Sequence, residues 1–285
     1  MSLENSAMYP PLKLFRKQLK MAVMKTNQNQ LLHRIACLRP APGELLVMIP
    51  ALTKYLFAFL VFFAAIPAYC APDEHVLLLH GLARTKDSMN DLETFLSRQG
   101  YQVLNIDYPS RKNQIHELAA IIRKEVISKT SNARKVHFIT HSMGGIILRY
   151  IQKHEPLPNL GRVVMLSPPN HGSEVVDKIG DFRLFQWING PAGKQMGTKD
   201  HGICQKLGSV NFELGIITGD RSINWINSLM IPGKDDGKVS IESAKMEGMA
   251  DFLVVHAAHP FIMSNKTVMK QCVHFLQKGA FSKKK

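Results

Sequence analysis

An α/β fold with a mostly parallel central sheet is predicted by three observations on this 285-residue chain. Continuous apolar runs of four or five residues recur from His75 onward. Between them lie segments whose apolar residues return every three or four positions, as on one face of a helix. The two kinds of segment alternate, which implies βαβ units with helices on both faces of the sheet and strands buried between them.

Each element follows from its local pattern. Residues 75–79 form the first run, apolar throughout as a buried parallel strand should be. Residues 88–100 are expected to be helical, with Met89, Leu92, Phe95 and Leu96 on one face and Gly100 as the stop. A second strand at 103–107 is closed by Tyr108-Pro109, and a helix over 114–128 carries Ile115, Leu118, Ile121, Ile122 and Val126. A strand at 136–139 leads into a helix at 143–153. Further strands at 163–166, 215–218 and 252–255, and a last helix at 266–277, complete the pattern. No linker interrupts it, so residues 71–285 are expected to form one domain.

The formal charge of +14 invites a nucleic-acid reading, but the charge is spread along the chain. Residues 1–70 hold 8 basic and 2 acidic side chains, a net of +6, and the other 215 residues hold 28 and 20, a net of +8. No interleaving of basic and aromatic residues and no nucleic-acid-binding module accompanies it, so no nucleic-acid partner is expected.

The leader has its own logic. Residues 55–68 are almost wholly apolar, with Lys54 before them and small residues and Pro67 at their end. About 14 apolar residues are short for a bilayer span, which needs roughly 20, but they match the core of a signal peptide. Cleavage is expected after Ala68 or Cys70. The segment begins far from the first residue, yet read from Met48 it is well proportioned. Two readings stay open: a true start at Met48, with residues 1–47 an untranslated or poorly ordered extension, or a long basic N-terminus anchored in a membrane through residues 45–70. Residues 48–70 are thus signal or anchor, and the domain is expected outside the cytoplasm, periplasmic or extracellular, or held at the membrane.

Chemistry enters at Thr140-His141-Ser142-Met143-Gly144-Gly145, between a predicted strand and a predicted helix. A serine on a sharp strand-to-helix turn projects its hydroxyl above the sheet, and the helix N-terminus offers N–H groups to a developing oxyanion. The turn needs small residues on either side because sheet and helix backbones pass close together. Gly144 meets that need; Thr140 is larger than the glycine usual there.

With His80-Gly81-Leu82 after the first strand, this segment resembles the α/β-hydrolases of the lipase and esterase kind over residues 74–278. The resemblance implies an α/β-hydrolase fold with a small lid. It implies a carboxylic ester hydrolase with Ser142 as nucleophile and the Leu82 and Met143 N–H groups as oxyanion donors. His80 is expected to brace its loop by hydrogen bonds. The fold orders its triad as serine, acid, histidine. The acid is expected at Asp236, since lipase-like hydrolases often show Asp-Gly-x-Val there, in preference to Asp235 or Asp220. The base is expected at His259, whose H-x-F-I-M string resembles this group, in preference to His256; His171 precedes Asp236 and falls out of order.

The substrate side is less defined. Val175, Val176, Ile179, Phe182, Leu184, Phe185, Trp187 and Ile188 are compatible with an acyl pocket under a lid or with a helix packed on the body. Neither metal-ligand spacing nor a phosphate loop is present, and no cofactor is expected. Cys204 and Cys272 could pair in an oxidising compartment. The expected partner is an ester or lipid substrate, with contact at anionic membrane surfaces. Acyl transfer to an alcohol or thiol by the same triad, or a non-catalytic binding protein on this fold, are the alternatives.

Overall fold

The apolar runs become six strands: β1 (Glu74–Leu79), β2 (Gln102–Ile106), β3 (Lys135–His141), β4 (Leu160–Leu166), β5 (Leu214–Gly219) and β6 (Asp251–Val255). They lie in the order β2-β1-β3-β4-β5-β6, and every neighbouring pair is parallel. The computed structural model describes residues 74–180, 183–198, 202–223 and 225–283. The segments 1–47 and 48–70, with the start, signal and anchor expected on them, lie outside the described residues.

Alternation along each strand divides the core in two. Leu77, Leu79, Phe138, Met165 and Ile216 face α2 (Ile115–Lys129) and α3 (Met143–His154). Val76, Leu78, Ile139, Val164 and Ile217 face α1 (Asn90–Arg98) and the last helix, α9 (Lys266–Lys278). Both faces are therefore covered, as parallel crossovers require. The helix expected at 88–100 divides into a 3-10 turn, Lys86–Met89, and α1. Asp107, expected within the second strand, leaves it to accept a hydrogen bond from the Lys86 N–H at 3.0 Å.

Five short helices connect the rest: α4 (Glu174–Ile179), α5 (Arg183–Lys194, broken at Gly190), α6 (Ile203–Lys206), α7 (Trp225–Ser228) and α8 (Ile241–Ala244). In the expected lid, Val175 and Val176 are buried. Phe182, and the side chains of Ile179, Leu184, Phe185, Trp187 and Ile188, lie outside what is described. Cys204 and Cys272 are free thiols. They sit in the cores on opposite faces of the sheet, which forbids a bond between them. Among the described residues no helix is long and apolar enough to cross a membrane.

One buried cation ties the connecting segments to the body. Arg149, in the middle of α3, is 3% exposed. Its guanidinium donates to the Asn170 carbonyl (2.9 Å) and amide oxygen (3.2 Å), and to the Cys204 (3.1 Å) and Gly208 (2.7 Å) carbonyls. Burial pulls its pKa down to about 10, so it remains charged at neutral pH. Replacing it leaves several buried acceptors without donors. Arg149→Leu is expected to lower stability by at least about 2 kcal/mol in urea unfolding, a value within error of the parent contradicting this role.

Candidate active site

Ser142 ends β3 with φ 51° and ψ −121°, a conformation that turns the chain abruptly into α3. The turn is held by the Ser142 N–H donating to the Leu166 carbonyl at 2.9 Å and the Gly145 N–H donating to the Ser142 carbonyl at 3.0 Å. A Cβ on Gly144 would come within 2.7 Å of the Leu79 carbonyl and 2.9 Å of the His80 carbonyl, so only glycine lets α3 start this close to β1. Thr140 fits because Gly145 makes room for it: a Cβ there would lie 3.2 Å from the Thr140 hydroxyl.

The loop after β1 closes over the turn. A Cβ on Gly81 would lie 3.3 Å from the Ser142 Cβ and 2.8 Å from the His141 ring, so this loop, with Leu82 next in it, packs directly on the turn. Met143 is the first residue of α3, where an amide N–H has no acceptor within the helix. His80 is buried and stacked on Tyr108, ring centroids 3.9 Å apart. The Tyr108 N–H donates to His80 Nε2 at 3.3 Å, so Nδ1 carries the proton and donates to the Gly81 carbonyl at 2.9 Å. A trans peptide sets its N–H opposite its carbonyl, so this bond also fixes the direction of the Leu82 N–H. Burial lowers the His80 pKa and favours the neutral ring that the bond requires.

Asp236 and His259 meet across the loops that follow β5 and β6. His259 Nδ1–H donates to Asp236 Oδ2 at 2.8 Å, with the two side chains 5% and 0% exposed. The other carboxylate oxygen accepts from the Lys238 and Val239 amides at 3.0 and 2.9 Å, and the His259 N–H donates to the Asp236 carbonyl at 2.9 Å. Burial opposes ionisation of Asp236, but the His259 imidazole and these donors outweigh it and hold the carboxyl below its ordinary value. A proton on Nδ1 leaves Nε2 of His259 as an acceptor, the tautomer a general base needs.

The competing residues go elsewhere. Asp235 accepts from the Ser228 hydroxyl and the Gly237 amide, both at 2.7 Å, and so shapes the loop. Asp220 pairs with exposed His256, whose Nδ1–H donates to it at 3.0 Å. His171 is exposed at a turn, its N–H on the Ser243 carbonyl. His141, given no role by the sequence reading, is buried beside Ser142. Its Nε2–H donates to the His259 carbonyl at 3.1 Å, and the two rings stand 4.8 Å apart. Burial and the neighbouring His259 hold its pKa well below the ordinary value. A polar residue at the end of an apolar strand was its only sequence signal. Among the described residues no group of three or more His, Cys, Asp or Glu is placed to hold a metal ion.

The state of Asp236 has a consequence for acid stability. Its folded pKa lies below the unfolded one, so its contribution is full above about pH 4 and is lost as pH falls through the folded value. Asp236→Asn is expected to flatten the fall of stability below about pH 4, read by urea unfolding at stepped pH. An unchanged acid limb would contradict a depressed carboxyl.

No family model and no curated protein matches the chain. Solved structures do. The mature lipase BlEst2 of Bacillus licheniformis is similar with a TM-score of 0.58 at 19% identity, over 73% of this chain and 94% of that one. Phospholipase PlaB of Legionella pneumophila is similar at 0.56 and 18%, over 72% and 58%. The metagenomic carboxyl esterase MGS0156 is similar at 0.55 and 17%, over 69% and 68%. At these identities the likeness is one of fold, and the chain has the α/β-hydrolase fold of these lipases and esterases.

Proposed function

We propose that the chain hydrolyses carboxylic esters, lipids among them, through Ser142, His259 and Asp236. The observation that carries this reading is a buried Asp236–His259 hydrogen bond of 2.8 Å, made by the loops after β5 and β6, at the same end of the parallel strands where Ser142, at positive φ, follows central strand β3. Ser142 attacks the ester carbonyl and His259 Nε2 takes its proton, while Asp236 holds the imidazolium that forms. The N–H groups of Leu82 and Met143 receive the oxyanion, and His259 protonates the departing alkoxide. Water then attacks the acyl-enzyme by the same route in reverse. The scheme balances with ester and water alone.

The similar lipase, phospholipase and carboxyl esterase support an ester or lipid substrate. Export by the apolar stretch at 55–68, or anchorage through 45–70, completes the proposal: either brings the domain to a membrane surface, which the +8 of residues 71–285 favours when the lipid is anionic.

A fluorophosphonate probe tests the nucleophile. Labelling of the folded chain is expected, and its loss in Ser142→Ala; labelling that survives this change would overturn the assignment. On p-nitrophenyl esters of increasing acyl length, Ser142→Ala is expected to lower kcat by at least about a thousandfold. A rate that varies with acyl length supports a lipid-type pocket, and no turnover at any length counts against it.

A further inference from the structure

Next to the proposed triad lies a groove that the ester chemistry does not use. It has a volume of about 330 Å3, its floor is Ala257-Ala258, immediately before His259, and it is walled by Arg221, His256, Ser264 and Asn265 on the polar side. Ile223 and Phe261 form its apolar side.

The polar wall is arranged for an anion. Arg221 is exposed, and among the described residues no carboxylate lies within ion-pair distance of it. The neighbouring carboxylate, Asp220, accepts from His256 Nδ1–H, which fixes that ring while its side chain stays 76% exposed. Asn265 caps the thirteen-residue α9 with its side-chain oxygen on the Thr267 and Val268 amides, so the positive end of the helix dipole adds to the wall.

The apolar side continues outward. On the groove Ile223 is 54% exposed and Phe261 60%; close by in sequence, Ile226 in α7 (56%) and Leu229 just after that helix (76%) are exposed too. Two large apolar side chains exposed on a groove that also carries Arg221, with two more exposed within six residues of Ile223, mark an interaction surface. The exposed charges of this loop, Arg221, Lys234 and Lys238, are all positive. A soluble anion would satisfy Arg221 but leave the apolar rim wet. An anionic lipid surface satisfies both.

We propose that this groove seats the phosphate headgroup of an anionic phospholipid while Ile223, Ile226, Leu229 and Phe261 enter the acyl region. The lipid surface then holds the domain with the His259 side of the site against its substrate. The inference takes a lipid as partner from the ester-hydrolase reading, but its binding step stands apart from catalysis.

Vesicle sedimentation tests it with the full chain carrying Ser142→Ala, so that no lipid is consumed. Vesicles of phosphatidylcholine alone and of phosphatidylcholine with phosphatidylglycerol are compared, and any background from residues before 74 is common to all variants. Tighter binding to the phosphatidylglycerol vesicles is expected. Arg221→Gln should weaken that binding about fivefold, and Lys124→Gln, on the exposed side of α2, by far less. Leu229→Ser and Ile226→Ser should weaken binding to both vesicle types by at least about fivefold. Because these side chains are more than half exposed, the variants should keep the parent's unfolding midpoint.

Equal binding to the two vesicles, or equal losses in Arg221→Gln and Lys124→Gln, would overturn the headgroup site in favour of net charge. Displacement by free glycerol phosphate with Leu229→Ser silent would overturn it in favour of a soluble anion. Self-association abolished by Leu229→Ser, without vesicle binding, would assign the rim to a second copy of the chain and overturn it too. Fluorophosphonate labelling reads the other proposal separately. Labelling without vesicle binding sinks the headgroup site alone, and vesicle binding without labelling supports the site while sinking the hydrolase.

Discussion

Ser142 occupies a backbone conformation that costs an L-residue about 1–3 kcal/mol, and much of the molecule is arranged to hold it there. The last six residues of β3 and the first six of α3 are buried, so strand and helix are each locked in the core and the turn between them has little freedom. A turn this sharp brings α3 onto the end of β1, and Gly144 is the residue that permits the contact. Gly81 permits the next one, where the β1 loop lies over the serine. Two absent side chains thus let the strained Ser142 turn pack against the end of β1 and the loop that follows it.

The loops that carry Asp236 and His259 are tied to this turn by backbone as well as side chains. His141, adjacent to the serine, holds the carbonyl of His259, and the carbonyl of Asp236 holds the amide of the same residue. His259 is therefore gripped at both ends of its main chain before its imidazole meets the carboxylate. Arg149 fastens the segments around Asn170 and Cys204 to α3. These anchors use buried polar groups whose partners are main-chain atoms. Such groups fail sharply when one member is removed, which makes them candidates for rigidity as much as for stability.

Much of this was legible in the chain because its inner strands are buried on both faces. A continuous run such as Val76-Leu77-Leu78-Leu79 announces itself without regard to register, while the edge strand β2, interrupted by Asn105, is half-exposed and marked more by its place between two helical patterns. The expected order serine, acid, histidine came from local motifs at Ser142, Asp236 and His259, of which the structure brings the last two into contact. What stayed hidden depended on contacts between distant residues. Thr140 departed from the expected glycine, and only the space left by Gly145, packed beside it, explains why it fits. Arg149 lies in an apolar helix with no acidic partner in sequence, since its acceptors are carbonyls contributed by two other segments. The cysteines illustrate the same limit: their spacing left pairing open, and the sheet between them closes it.

Among the described residues, two aspartate–histidine pairs meet through Nδ1 at almost equal distance, and environment separates them. Asp220 and His256 meet at 3.0 Å with the imidazole side chain 76% exposed, where water competes for every hydrogen bond and screens the charge. Asp236 and His259 meet at 2.8 Å with side chains 0% and 5% exposed. A carboxylate withdrawn from water must be satisfied by fixed donors. Asp236 has the Lys238 and Val239 amides on one oxygen and the imidazole on the other. The imidazole cannot rotate away without stranding a buried charge. Its tautomer, with the proton on Nδ1, is set by the same requirement. Equal geometry at the surface would leave both ring nitrogens exchanging with solvent. Burial therefore converts an ordinary pair into one of fixed orientation, and it favours His259 over His256 as the proposed base on physical grounds that chain order alone does not supply.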